Sequence, residues 1–432
     1  MRIALALSVA LALAACSGER STPPRAELPR SVLGVVWGED DSFVARLDPR
    51  SLEPLPGPRA PLGRAGGPSA LSPDGSEVAF GGYRSLVRIV DLERMRVQAD
   101  IAERGDFGAV AWPEPRRILL ATGFNWEMGV DVVMVDPLAR RVLLRRSLGG
   151  SLQRFVPTDD GLLLLLGPRA GGIGAARLAV FSADGDIRVL RLGGVPAGFE
   201  HDQLEDGFVV DRYRTPGLTV DPSGETAFVV GADDEVAEVD LRTLRVQYHE
   251  LRRTTSLLGR LRSWLEPSAE AKGASDGSVQ DAVWVGSGLI AVSGWDDHAS
   301  FDAEGHQTQT TTPAGVALVD TREWSKRMLA PDATAASLAG DLLLVYGSRW
   351  NSWAGSSEGV GLSGFDRAGE RRFRLFGAEP VASVEVVGQH GYVGFDVSYG
   401  CQGRIVDLGS GRVLAGRELD VLCDRSLLSA GD

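Results

Sequence analysis

The chain carries only five histidines, His201, His249, His298, His306 and His390. His298 follows Asp296 and Asp297, and His201 stands between Glu200 and Asp202. An imidazole beside a carboxylate can move a proton near neutral pH or share a cation, so Asp296, Asp297, His298 and His201 define a metal-dependent hydrolase or lactonase as the alternative function. Neighbours of this kind in a loop tend to point apart. Gly273-Ala274-Ser275-Asp276-Gly277 matches G-x-S-x-G, but it lies in a polar stretch rather than between a strand and a helix, where a strained nucleophile elbow must sit. The chain has no G-x-x-x-x-G-K-[ST], H-E-x-x-H, C-x-x-C or EF-hand pattern, which disfavours phosphate-loop and zincin chemistry. No catalytic residue, metal ligand or cofactor is therefore expected.

Binding chemistry is better represented. Of nine tryptophans, five fall in short segments where aromatics alternate with acids: Trp37-Gly38-Glu39-Asp40-Asp41, Phe124-Asn125-Trp126-Glu127, Trp295-Asp296-Asp297-His298 and Arg349-Trp350-Asn351-Ser352-Trp353. Indole buries a large area while its N–H keeps a polar partner, and neighbouring carboxylates select a positively charged or hydrogen-bonding partner. Trp37, Asp40, Trp126, Trp295, Asp297, His298, Trp350 and Trp353 are thus the candidate binding residues. The competing reading is that these aromatics fill gaps between packed sheets.

The elements that must position them repeat. A hydrophobic residue followed by Asp and a turn recurs at Asp48, Asp91, Asp136, Asp240, Asp320, Asp366 and Asp407, with Ser182 in the equivalent place of an eighth copy. The successive intervals are 43, 45, 46, 58, 80, 46 and 41 residues, and five of them match the blade spacing of about 40–45 residues in propeller repeats. Asp or Ser at the head of a turn bonds backbone amides two residues on, a structural duty. Between the turns, runs such as Glu77-Val78-Ala79-Phe80 and Leu162-Leu163-Leu164-Leu165-Leu166 read as buried strands.

Leu71-Ser72-Pro73-Asp74-Gly75 and the segment Gly403-Arg404-Ile405-Val406-Asp407-Leu408-Gly409-Ser410-Gly411-Arg412 resemble β-propellers of the WD-repeat, YVTN and PQQ-repeat superclass. The resemblance covers roughly residues 32–428 and implies an all-β, eight-bladed β-propeller, with seven blades as the alternative. The tryptophan-bearing motif of PQQ-binding dehydrogenases is lacking. The first unit shows three strands rather than four, so the C-terminal residues 419–423 are expected to supply the missing inner strand and close the ring. In a meander of four strands per unit, a to d in chain order, the b-to-c and d-to-a connections share one rim, which therefore gathers the aromatic segments, the insertion Gly193 to Gly217 and a longer one. The latter places Leu257, Leu258, Leu261, Trp264 and Leu265 on one face of a short helix near 256–266.

The first residues indicate the compartment. Arg2 precedes an apolar run from Ile3 to Leu13 that is too short for a permanent span. Leu13-Ala14-Ala15-Cys16 resembles the lipobox of bacterial lipoproteins, implying a signal peptide over 1–15, lipidation of Cys16 and a proline-rich tether over 16–31 ahead of a propeller domain over 32–432. The implied location is the bacterial cell envelope, at the outer membrane where there are two, with the domain in the periplasm or outside the cell. Cys401 and Cys423 are either a disulfide, worth about 3 kcal/mol across that loop, or two buried thiols. An apolar content of 44% with 24% charge provides a large core and excludes disorder, collagen and coiled coil. A net charge of −13 excludes nucleic acid as a partner. The sequence thus describes a lipid-anchored propeller that binds an envelope protein, peptide or glycan without catalysis.

Overall fold

A computed structural model describes residues 28–38, 42–63, 67–82, 86–103, 105–123, 129–203, 209–253, 275–301, 307–351, 356–395, 402–414 and 425–431. The chain begins with β1 (Ser31–Val36), β2 (Ser42–Leu47) and β3 (Ala60–Gly63), then forms one meander of β4 (Ser69–Leu71), β5 (Glu77–Gly81), β6 (Leu86–Asp91) and β7 (Arg96–Ala102). Next come β8 (Phe107–Glu114), β9 (Arg117–Thr122), β10 (Asp131–Asp136) and β11 (Arg141–Ser147), followed by β12 (Leu152–Thr158), β13 (Gly161–Leu166), β14 (Gly172–Ser182) and β15 (Ile187–Gln203). After β16 (Val209–Thr215) the chain makes β17 (Gly217–Val220), β18 (Thr226–Val230), β19 (Glu235–Asp240), β20 (Arg245–Glu250) and β21 (Arg252–Arg253). The later strands are β22 (Ser275–Gly286), β23 (Leu289–Phe301), β24 (Gln307–Pro313), β25 (Val316–Asp320), β26 (Ser325–Ala330), β27 (Ala335–Ala339), β28 (Leu342–Asn351), β29 (Ser356–Asp366) and β30 (Arg371–Leu375). The last are β31 (Val381–Val387), β32 (His390–Phe395), β33 (Gln402–Asp407), β34 (Arg412–Val413) and β35 (Arg425–Gly431).

These strands make an all-β propeller of six hydrogen-bonded sheets. Five have four strands, and the sixth has fifteen. The eight separate sheets expected from the aspartate spacing, and the seven of the alternative, are corrected by this pairing. Long hairpins on one rim cause the difference. β15 pairs with β16, β16 runs parallel to β22, β23 pairs with β24, and β24 meets β28 at Thr310 and Asn351, so backbone ladders join runs that the spacing treats as independent. Among the described residues there is no helix. The helical insertion expected near 256–266 lies outside those residues.

Burial is greatest in the second strand of a sheet, counted from the ring centre, and least in the last. β1, β13 and β32 are buried at every position, whereas β7, β11, β20 and β30 expose most of theirs. The β1 and β13 runs are Val- and Leu-rich because both their faces meet a neighbouring sheet. Arginines on β11 and β30 keep those strands wetted and unsuited to pairing with another chain. Apolar clusters fill each cleft between neighbours, for example Leu119, Val132 and Met134 against Leu162, Leu164 and Phe181.

The ring closes on itself. Val32, Ala45 and Leu47 pack with Val387, Tyr392 and Ile405, and the buried Tyr392 hydroxyl donates to the Pro49 carbonyl at 3.0 Å. β35 pairs antiparallel with β1, from Val32 opposite Ala430 to Val36 opposite Arg425, so one sheet holds both ends of the domain. The closing strand is Arg425–Gly431 rather than 419–423, which lie outside the described residues.

The repeated aspartates act as turn caps. Asp136 accepts from the backbone N–H groups of Leu138 and Ala139, both at 3.0 Å, and Asp240 accepts from Thr243 N at 2.7 Å. Asp48, Asp91, Asp320, Asp366 and Asp407 accept from backbone amides in the same manner. These bonds to the ionised form hold the Asp91, Asp136, Asp240 and Asp366 carboxyls below the ordinary range.

Candidate functional site

Part of the rim that carries the b-to-c and d-to-a connections is a wall of strand, built by the fifteen-stranded sheet. β15 runs on past its partner strand and turns back through β16, while β22 and β23 extend together to the pair Ser275–Ala299. β24, with its run of threonines, pairs along the outer part of β23. β-branched Thr suits such a half-exposed pleated surface. Where it is described, much of what reads in the sequence as loops and an insertion is extended backbone, with a two-residue side-chain period along the paired runs of β16 and β23.

That period places Trp295 and Asp297 on one face of β23, and Asp211, Tyr213 and Thr215 on one face of β16. Together with Gln153 of β12, Phe199 of β15 and Val279 of β22 they line a cavity of about 450 Å³. Asp297 is its polar centre. The Tyr213 hydroxyl and the Trp295 indole N–H, the latter at 3.2 Å, both donate to Asp297 Oδ2, and the Thr311 hydroxyl donates to Oδ1 at 2.5 Å. Burial, and then the bond to the Asp297 carboxylate, push the Tyr213 phenol well above its ordinary value, so it stays a donor. The Tyr213 ring is backed by Gly277, where an added Cβ would stand 2.0–2.5 Å from three ring carbons. Only glycine admits that approach.

The cavity floor is polar and satisfied. Buried Gln153 donates through Nε2 to Ser151 Oγ at 2.8 Å and accepts through Oε1 from Thr215 Oγ1 at 3.2 Å. At the outer edge His201 Nδ1 lies 2.8 Å from Asp211 Oδ1, and its ring stacks on Phe199 with centroids 6.4 Å apart. Larger hollows lie elsewhere. One, of about 730 Å³, runs between the β12–β13 and β17–β18 turns. Another, of about 700 Å³, lies beside His249, whose ring stacks on Trp324 and whose Nε2 meets Glu238 at 2.9 Å. A third, of about 490 Å³, lies beside Arg116 and Asp136.

The sequence candidates separate accordingly. Trp295 and Asp297 meet in the cavity. His298 is exposed on the opposite face of β23, across the ladder from Asp276 and Thr310, so the strand period divides it from Asp297. Asp296 lies on that opposite face too, while His201 bonds Asp211 instead. Among the described residues no three His, Cys, Asp or Glu side chains gather as a metal site would require. Trp37 donates from Nε1 to Ser426 Oγ at 2.9 Å and packs in the cleft beside Val35 and Val44, a role in ring closure. Trp350 stands on β28 opposite Ser357. Asp40, Trp126, Trp353, Cys16, Cys401 and Cys423 lie outside the described residues. Gap filling is the observed role of Trp112 and Trp284, the latter stacked on Phe228 at 5.5 Å.

Sequence reasoning missed Tyr213, Phe199, Gln153 and Thr215. Their signal was present in Asp211-Arg212-Tyr213-Arg214-Thr215, an alternation of cavity-facing and arginine positions that marks a strand.

No family model matches the chain, and no curated protein matches it. Solved structures do. The dihydro-heme d1 dehydrogenase NirN in complex with DHE is similar at 13% identity and a TM-score of 0.56, over 93% of this chain and 76% of that one. The chain is a β-propeller. A eukaryotic initiation factor is also similar, at 11% identity and a TM-score of 0.48 over 94% of this chain and 90% of its own. BamB from Moraxella catarrhalis follows at 9% and 0.43, over 81% of this chain and 87% of its own. At such identity the likeness concerns the fold, and propellers of one fold serve as scaffolds and as enzymes.

Proposed function

We propose that this chain is a non-catalytic binding module of the bacterial cell envelope, held to a membrane by lipid on Cys16, that takes an envelope protein, peptide or glycan at its strand-walled rim. One observation carries the reading: Phe199, Tyr213 and Trp295 surround a carboxylate, Asp297, within a formed cavity on the rim that bears the long hairpins. Aromatic walls with a few fixed polar groups are the usual composition of a small recognition site. The short apolar leader and Leu13-Ala14-Ala15-Cys16 support the anchor.

Crosslinking in intact cells tests the binding role. Tyr213→Phe combined with Trp295→Ala should lower recovery of the crosslinked partner at least about tenfold, as loss of two central anchors does, while leaving the amount of protein unchanged. Unaltered recovery would remove the rim from the binding surface. Radiolabelled palmitate should mark the chain and fail to mark the Cys16→Ser variant; label retained in that variant would refute the anchor.

A further inference from the structure

The charge of the rim cavity is unbalanced. All three hydrogen bonds to Asp297 come from neutral donors, the Tyr213 hydroxyl, the Trp295 indole and the Thr311 hydroxyl. Among the described residues no Lys or Arg lines the cavity, and none forms an ion pair with Asp297. Neutral donors fix a carboxylate in place, but they do not cancel its charge. The arginines of β16, Arg212 and Arg214, alternate to the other face, where Arg214 pairs with Asp276 at 2.7 Å. The strand period therefore keeps them out of the cavity.

The aromatic rings share that bias. Tyr213 and Trp295 donate to the same oxygen of Asp297, which holds their polar edges against the carboxylate and enriches the ring faces in electron density. Phe199 completes the wall. Ring faces of this kind attract a cation, most strongly where water is displaced. A neutral hydroxylated ligand fits less well: a carboxylate has about four lone-pair positions, and three are already taken. One N–H from a cation can use the last, while its charge acts on the whole group.

From this juxtaposition we infer that the rim cavity is a recognition site for an organic cation, an alkylammonium or guanidinium group seated over Tyr213 and Trp295 with its charge on Asp297. The inference rests on the binding role proposed above and names the chemistry of the ligand. A volume of about 450 Å³ lies within the ordinary range of small-molecule sites, about 300–1,000 Å³. It takes such a head group with a short aliphatic stem, carried by a free amine or by an arginine or lysine of a peptide.

Titration of the purified mature chain, followed by tryptophan fluorescence and calorimetry, tests it with four probes: agmatine, a blocked tripeptide with central arginine, the same tripeptide with central citrulline, and methyl glucoside. Citrulline keeps the shape of arginine and removes the charge. The arginine tripeptide or agmatine should bind at least about tenfold more tightly than the citrulline tripeptide. Asp297→Asn, which keeps the side-chain shape, should erase that preference, and Trp295→Phe should weaken binding while retaining it. The melting temperature of each variant shows whether it folds; should Asp297→Asn unfold, Trp295→Phe and the citrulline comparison still decide. A preference for the peptide over agmatine assigns the cation to a peptide side chain, and equal binding assigns it to a free amine; either supports the inference. Equal binding of arginine and citrulline tripeptides, or binding of methyl glucoside alone, overturns it and leaves the binding role intact. No binding by any probe also overturns it; the binding role itself falls only if the crosslinked partner persists in the double variant.

Discussion

At the scale of single residues, carboxylates divide by what donates to them. Asp297 takes side-chain donors at a cavity, whereas the turn aspartates take backbone N–H groups and hydroxyls a few residues away and serve the chain itself. Asp74 shows how strongly: the Ser72 hydroxyl, then the backbone and hydroxyl of Ser76, bring its carboxyl from an ordinary 3.8 down to about 2. A folded value below the unfolded one means stability that is full above about pH 4 and is lost as pH falls toward about 2. Glu385 acts in the opposite sense, since burial raises it. The denaturant midpoint is expected to fall between pH 4 and pH 2, and to fall less steeply in Asp74→Asn. An equal slope in that variant would place the acid sensitivity elsewhere. The sequence exposed these aspartates because their bonds are local, made within a few residues of the chain.

Elements are where the sequence reading and the structure part. Trp295-Asp296-Asp297-His298 reads as an aromatic, acidic loop, yet it continues β23 with an alternating pattern. Read as a strand, the same letters pair Trp295 with Asp297 and turn His298 away. The pattern is visible in one strand; its partner across the cavity is not, because Tyr213 and Asp297 are 84 residues apart. Gly277 tests the arrangement. Replacing it with Ala should cost about 1–3 kcal/mol by overpacking and displace the Tyr213 ring, with a changed near-ultraviolet circular dichroism and a lower melting temperature. Unchanged values for both would show that the ring does not rest on that glycine.

Across the whole molecule, closure depends on β35, which follows nearly the entire chain and pairs with its first described strand. Deleting 425–431 removes an inner strand and bares the edge of β1. The shortened chain is expected to melt at lower temperature and to self-associate, measured by calorimetry and sedimentation; a monomer of unchanged melting temperature would refute the role of closure. The repeat, the turn caps, the buried runs and the need for a closing strand were all determined by the sequence alone, since each rests on residue type and short-range spacing. The count of sheets, the identity of the closing strand and the union of Phe199, Tyr213, Trp295 and Asp297 were decided only by the tertiary structure. Hydrogen bonds between rim hairpins depend on how far each hairpin projects and which neighbour it reaches, and spacing along a chain carries no such information.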